Sequence, residues 1–239
     1  MKDRTAIVTG ASRGIGKAIA LQLAADGYHV ILTGRTEAGL IETDDAIHAA
    51  GGSATIAPLD ITRADDVDKL GAAIAGRWTD GIDLLVLNAA MLGTLSPLAH
   101  VTPKEFGQVM DLNVTAQWRL LRTFDALLRR ARGTVVAVTS SVGTRPTAYW
   151  GPYAASKAAL EMLVDCYAAE MQSLGVNILV LDPGGTRTML RARAFPGEDA
   201  ATLKAPEVVA ERLIERLRAG LKPGTNRLAL NRDGDIIAG

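Results

Sequence analysis

TAIVTGASRGIG, residues 5–16, is the stretch from which the rest of the chain can be read. TAIVT is a short, β-branched apolar run, as expected of a buried strand. Three glycines follow within seven positions, Gly10, Gly14 and Gly16, and the chain then runs into IGKAIALQLAADG (15–27). There Ile15, Ile19, Leu21 and Leu23 mark the apolar face of a helix that Gly27 ends. A glycine turn between a strand and a helix is the context of a dinucleotide-binding turn. The spacing is G-x-x-x-G-x-G, not the commoner G-x-G-x-x-G. The glycines permit a tight turn and close backbone approach, and the helix N-terminus offers free N–H groups and partial positive charge to a pyrophosphate. Gly10, Ser12, Arg13, Gly14, Ile15 and Gly16 are the expected contacts.

The same alternation continues downstream. Strands are expected at 28–33, 53–60, 82–90, 133–141, 176–185 and 226–231, with helices at 36–50, after Thr62, from 102 to 130, at 152–174 and at 205–220. Thr62 is the expected cap of its helix, with Asp65 three residues on. Thr102, Pro103 and Glu105 spell a capping box with proline in the first turn. The strands are near-continuous apolar runs, which predicts burial on both faces. The fold class is therefore α/β: a Rossmann-like, doubly wound parallel sheet of about seven strands with helices on both faces. No repeat or linker divides residues 1–239, so a single domain is expected.

Bulk composition narrows the partners. Twenty-six basic residues balance 26 acidic ones, which argues against a nucleic acid or an anionic membrane as partner. The start, MKDRTAIVTG, lacks the apolar stretch of a signal peptide, and no apolar run approaches the ~20 residues of a membrane helix. Cys166 is the sole cysteine, expected as a small buried residue on a helix and suited to a reducing compartment. A cytoplasmic location follows as the expectation. His29, His48 and His100 are scattered without ligand spacing, so no metal site is expected.

The end of the second strand separates NAD from NADP. An NAD site places an acid there for the ribose 2′-hydroxyl. ILTGRT instead has Gly34 and Arg35, with no carboxylate until Glu37. A guanidinium binds a 2′-phosphate that a carboxylate would repel. Arg13 can close on the same group, so NADP(H) is preferred to NAD. In YAASK, Tyr153 and Lys157 are four apart and share a helix face. A close ammonium favours the phenolate and brings a tyrosine toward useful acid–base range. Ser140, 13 positions earlier at a strand end, can hold a carbonyl.

Taken in order, these motifs resemble the short-chain dehydrogenase/reductase family, in its short single-domain branch, over nearly the whole chain. TGASRGIG is similar to its cofactor turn, LDIT to its adenine-contact segment (Asp60, Ile61), and LNAA to the segment after strand four (Asn88, Ala89). In that last segment Leu87 and Ala90 depart from the usual Asn-Asn-Ala-Gly. The resemblance implies a catalytic set of Asn113, Ser140, Tyr153 and Lys157, and nicotinamide contacts from Pro183, Gly184, Thr186 and Thr188. Tyr153 is then acid in reduction and base in oxidation. Lys157 lowers its pKa and binds the ribose, Ser140 orients the carbonyl, and Asn113 helps hold a water. The implied activity is hydride exchange between NADP(H) and a small-molecule carbonyl or alcohol, in a homodimer or homotetramer. A catalytically silent NADP-binding regulator and an epimerase or dehydratase are the alternatives on this scaffold. Residues 185–205 are the expected substrate lid, with Arg187, Arg191 and Arg193 either facing an anionic substrate or solvated. Tyr149 and Trp150 line either an apolar pocket or a subunit interface.

Overall fold

A computed structural model describes residues 4–238. Eight strands form one sheet in the order β3-β2-β1-β4-β5-β6-β7-β8. They are β1 (Arg4–Thr9), β2 (Tyr28–Gly34), β3 (Ser53–Pro58), β4 (Leu84–Leu87), β5 (Thr134–Val138), β6 (Asn177–Asp182), β7 (Thr225–Leu230) and β8 (Ile236–Ala238). Every pairing is parallel except β7 with β8, so the sheet has one more strand than expected, and that strand is antiparallel. The strand order reverses between β1 and β4. Such a switch point leaves a crevice at the carboxyl ends of the strands.

Alternation of the buried side chains explains the layering. Ala6, Val8, Val30, Leu32, Leu84 and Val86 point to one face, where α1 (Gly14–Ala25), α2 (Glu37–Ala49) and α8 (Pro206–Arg218) cover them. Ile7, Ile31, Leu85, Leu87, Val135 and Ile178 point to the other. That face is covered by α3 (Ala64–Arg77), α5 (Ala116–Ala131) and α6 (Gly151–Met171). Burial on both faces holds for the central strands. It fails at β3, which is half-exposed along its length, and at β7, which alternates, because each has fewer neighbours to cover it.

Several boundaries shift for physical reasons. Arg63, not Thr62, is the N-cap of α3, because the Thr62 hydroxyl donates to Asp60 Oδ1 at 2.7 Å. The expected helix over 102–130 is two helices, α4 (Pro103–Met110) and α5, joined by a π turn at Asp111–Thr115. Its start is as read: Thr102 Oγ1 accepts from Glu105 N–H at 3.2 Å and the Glu105 carboxylate accepts from Thr102 N–H, which closes the capping box. Cys166 lies on α6 but is exposed. Within 185–205 a short helix, α7 (Met189–Ala194), is the main regular element. Among the described residues no helix is long and apolar enough to cross a membrane, and no cluster of metal-ligating side chains occurs.

Phe124 is fully buried between α5 and the sheet. Phe124→Ala should cost about 3–5 kcal/mol of unfolding free energy, since so large a cavity cannot collapse. Urea unfolding followed by circular dichroism measures it, and a cost under about 1 kcal/mol would contradict this packing.

Candidate active site

At the switch point the chain ties β1 to β4 with polar groups. Thr9 Oγ1 donates to Val86 O at 3.0 Å and accepts from the N–H groups of Asn88 (2.9 Å) and Ala89 (3.0 Å). Asn88 Nδ2 donates back to Thr9 O at 2.8 Å. Asn88, expected as a cofactor contact, lines the cleft and also holds the first turn in place. Gly10 and Gly14 both have positive φ, +67° and +57°, a conformation that glycine adopts without Cβ strain. A Cβ on Gly16 would lie 2.2 Å from Gly10 O, so only glycine lets α1 descend so close to the strand end. The N-cap of α1 carries no side-chain cap and its first turn has no acid. The free N–H groups and the positive helix end are thus left for an anion.

Around this turn a cleft of about 970 Å³ runs along the strand ends. Arg13 and Arg35, both exposed, stand at its rim, and neither makes an ion pair or donates a hydrogen bond among the described residues. Asp60 faces Arg35. Burial opposes its ionisation, but two hydrogen bonds from Thr62 and the charges of Arg35 and Arg63 outweigh that and hold its carboxyl below the usual value. Ile61, Ala89, Pro183, Gly184, Thr186 and Thr188 line the cleft. Thr188 also caps α7, accepting from Arg191 N–H at 3.1 Å. The donor set fits a dinucleotide with a 2′-phosphate: a glycine cradle, an uncapped helix end and two unpaired guanidinium groups.

The other half of the cleft holds Ser140, Tyr153 and Lys157. Ser140 follows the end of β5. Tyr153 and Lys157 lie in the first two turns of α6, whose axis passes that strand end. Lys157 is almost fully buried and its Nζ donates to Val138 O at 2.8 Å, which anchors α6 to β5. Gly143 allows the intervening loop to lie on α6, since a Cβ there would sit 3.2 Å from Lys157 Cβ. The ammonium is 5.6 Å from the Tyr153 ring centroid.

The charge states differ from a simple ammonium-beside-phenol picture. Burial pushes the Tyr153 phenol above its ordinary value, and Asp182 pushes it the same way. Burial also lowers Lys157 to about 8, against the opposing pull of Glu161 and Asp182. Tyr153 therefore keeps its proton at neutral pH.

Asn113 does not line the cleft. It is fully buried in the π turn, where its amide exchanges hydrogen bonds with the Met91 backbone, 2.9 Å each way, and donates to Ser156 Oγ at 2.9 Å. Ser156 Oγ in turn donates to Tyr153 O at 2.7 Å. Asn113 thus links the chain after β4 to the turn that carries the tyrosine. A π turn presents one side chain out of helical register and often marks a functional position, but no spacing in the sequence announces one.

Apolar side chains surround Tyr153: Leu92, Val142, Trp150, Leu190 and Ala194. Trp150 meets Tyr153 edge-on at 5.9 Å and Phe195 at 5.6 Å between centroids. Phe195 was missed in the sequence, where nothing separates it from any lid residue. Tyr149 is 60% exposed and turns away from the cleft at φ +74°. Of the lid arginines, Arg191 is held by Glu198 (Nε–Oε2 2.5 Å) and stacks 3.8 Å over Phe195. Arg187 and Arg193 line the cleft without an ion pair among the described residues.

This arrangement accompanies a clear family match. Residues 4–199 match the model of the short chain dehydrogenase family, and the chain belongs to that family of oxidoreductases. It is 38% identical over 211 residues to the uncharacterized oxidoreductase YciK of Escherichia coli K12, covering 86% of this chain and 82% of that one. Among solved structures it superposes on a short chain dehydrogenase of Shigella flexneri 2a complexed with NADP, with a TM-score of 0.89 and 33% identity over 98% of both chains. It also superposes on one from Escherichia coli CFT073 complexed with NADPH, with a TM-score of 0.87 and 34% identity over 97% of both.

Gly16→Ala should abolish dinucleotide binding and lower stability by about 1–3 kcal/mol, because the clash is with backbone and cannot be relieved by a rotamer. Gly76→Ala, on the exposed side of α3 with open space around it, should leave the melting temperature unchanged or slightly raised. Dye titration and calorimetry on the two variants make the comparison. Equal behaviour of both would refute the close-approach argument.

Proposed function

We propose that this protein is an NADP(H)-dependent oxidoreductase that interconverts a carbonyl compound and an alcohol. The observation that carries the reading is the shared cleft. A glycine turn at an uncapped helix end, flanked by Arg13 and Arg35, opens into the same groove as Ser140, Tyr153 and Lys157. The structures of two relatives with NADP or NADPH bound support the choice of cofactor.

Bound NADPH supplies the hydride, which is the chemistry the protein's side chains lack. The Gly10–Gly16 turn would take the pyrophosphate and Arg13 with Arg35 the 2′-phosphate. Asp60 and Ile61 would take the adenine end, and Pro183, Gly184, Thr186 and Thr188 the nicotinamide end. Ser140 donates its hydroxyl proton in a hydrogen bond to the substrate carbonyl and aligns it. Tyr153 releases the phenolic proton to the carbonyl oxygen as negative charge develops there. Lys157, charged below about pH 8, favours the phenolate left behind and holds the ribose. Asn113 acts through its contacts with Met91 and Ser156, which fix the first turn of α6.

A raised tyrosine suits this direction of reaction. The acid must carry its proton, and a raised value extends that condition through neutral and mildly alkaline pH. Oxidation needs the phenolate and gains as pH rises. The substrate is a small ketone, aldehyde or 3-oxoacyl compound whose apolar part lies against Leu92, Trp150, Leu190 and Phe195. The protein is cytoplasmic on this reading, and a homodimer or homotetramer. Phe106 on α4, Trp118 on α5 and Met162 on α6, each more than 40% exposed, offer apolar surface for association.

Tyr153→Phe should cut ketone reduction at least ~10²-fold and leave NADPH binding intact. Stopped-flow absorbance and fluorescence titration separate the two effects. Reduction at the wild-type rate would remove Tyr153 from the mechanism. Arg35→Asp should lower kcat/KM for NADPH relative to NADH by about 10- to 100-fold, the scale of one charged hydrogen bond. An unchanged cofactor ratio would exclude the 2′-phosphate role.

A further inference from the structure

The proposed mechanism leaves one buried carboxylate without a task. Glu161 is four residues after Lys157 on α6, so the two side chains are neighbours on one helix face. Only 8% of Glu161 is exposed, yet both carboxylate oxygens are engaged. Oε1 accepts from Thr139 Oγ1 at 2.5 Å, and Oε2 accepts from Arg227 Nη1 at 3.0 Å. Thr139 directly follows Val138, whose carbonyl takes the Lys157 ammonium. Arg227, on β7, also donates to Asp165 at 2.8 Å and is open to solvent on its outer side. A guanidinium and a hydroxyl thus hold the two oxygens of this carboxylate in place.

We propose that Glu161 is a positioning residue for Lys157: locked by Thr139 and Arg227, its carboxylate is held one turn along α6 from the lysine and so sets the alkaline limit of catalysis. The inference rests on the oxidoreductase reading given above. Tyr153 and Glu161 face Lys157 from α6 and Asp182 faces it from β6; Arg227 reaches Glu161 from β7, and Lys204 reaches Asp182. The carboxylates divide their influence. Asp182 acts on both Lys157 and Tyr153, whereas Glu161 acts on Lys157 and Asp182 but not on Tyr153. A change at Glu161 therefore alters the lysine without touching the tyrosine directly. Removing the carboxylate leaves burial unopposed by its nearest charge on α6, so the ammonium gives up its proton at lower pH.

Two variants test this in the full-length protein. Glu161→Gln keeps an acceptor for Thr139, and Glu161→Gln/Arg227→Gln keeps the pair matched without charge should the single variant fold poorly. The Lys157 Nζ–Cε group is followed by NMR from pH 6 to 10 in protein labelled with ¹³C and ¹⁵N at lysine. NADPH-dependent reduction of a ketone panel is measured over the same range. In either variant the Lys157 midpoint should fall by about one pH unit, and the alkaline limb of kcat should move with it. A midpoint that stays in place while activity drops evenly at all pH would show that Glu161 only braces α6 and would overturn the proposal. A midpoint that falls in a protein that reduces no carbonyl supports the Glu161–Lys157 coupling and removes the oxidoreductase reading instead.

Discussion

Everything at the strand ends depends on one backbone-to-backbone approach, that of Gly16 to the Gly10 carbonyl. The first turn of α1 can sit there only because residue 16 has no Cβ. That places the positive end of the helix at the point where the sheet reverses its order, between β1 and β4. Thr9 and Asn88 hold the same point from the other side, with one hydroxyl serving a carbonyl and two N–H groups. The close approach itself is between main-chain atoms, and the Thr9 and Asn88 side chains lock it from the strand side. The half of the cleft that holds Ser140, Tyr153 and Lys157 is then hung from it. Ala89 O accepts from Gln117 and Met91 is gripped by Asn113, so the chain leaving β4 carries the geometry of the cradle into α5 and α6.

A second constraint is the cost of burying charge. Lys157 loses most of its water, and a lone ammonium in that place would shed its proton. The carbonyl of Val138 replaces one hydrogen bond, and the carboxylates of Glu161 and Asp182 replace part of the lost hydration electrostatically. Asp182 feels the reciprocal effect: burial and the neighbouring Glu161 raise its value, while Gly184 N–H and Lys204 oppose the rise. The site is a balanced group of charges, not a tyrosine beside a lysine. Burial, with Asp182 adding to it, pushes Tyr153 upward here, although a close ammonium alone would lower it.

The sequence carried the parts that depend on backbone chemistry. Glycines at 10, 14 and 16, proline at 103 and the Thr102–Glu105 box each have one structural use, so they could be placed without coordinates. Near-continuous apolar runs marked the central strands, whose buried side chains go alternately to the two faces. Misread elements were those decided by tertiary partners. Thr62 has the composition of a cap, but the nearer carboxylate of Asp60 takes its hydroxyl. The π turn at Asp111–Thr115 follows from packing Asn113 against Met91 and Ser156, and no local pattern encodes that. Three-residue β8 lies against the edge of β7 after a bulge and is too short to show any period.

The two ends of the cleft differ in the same way, and this explains why the cofactor is legible where the substrate is not. The cofactor end presents N–H groups, glycines and two arginines, whose meaning is read from position along a βαβ unit. At the substrate end the walls are side chains from remote segments: Leu92 after β4, Trp150 before α6, Leu190 on α7 and Phe195 beyond it. Their arrangement rests on long-range ties. Glu198 joins Arg191 on α7 to Arg232 between β7 and β8, and Arg191 in turn lies on the Phe195 ring. The shape of the pocket is therefore set partly by the C-terminal hairpin, some 80 residues from Tyr153 in the chain. Glu198 pairs with Arg191 and Arg232, while Arg187 and Arg193 make no ion pair among the described residues, and apolar and aromatic surface lies next to Tyr153. An apolar surface of this kind discriminates between ligands by size and shape, with each methylene contributing only ~1–3 kcal/mol, which no short motif in the sequence can spell.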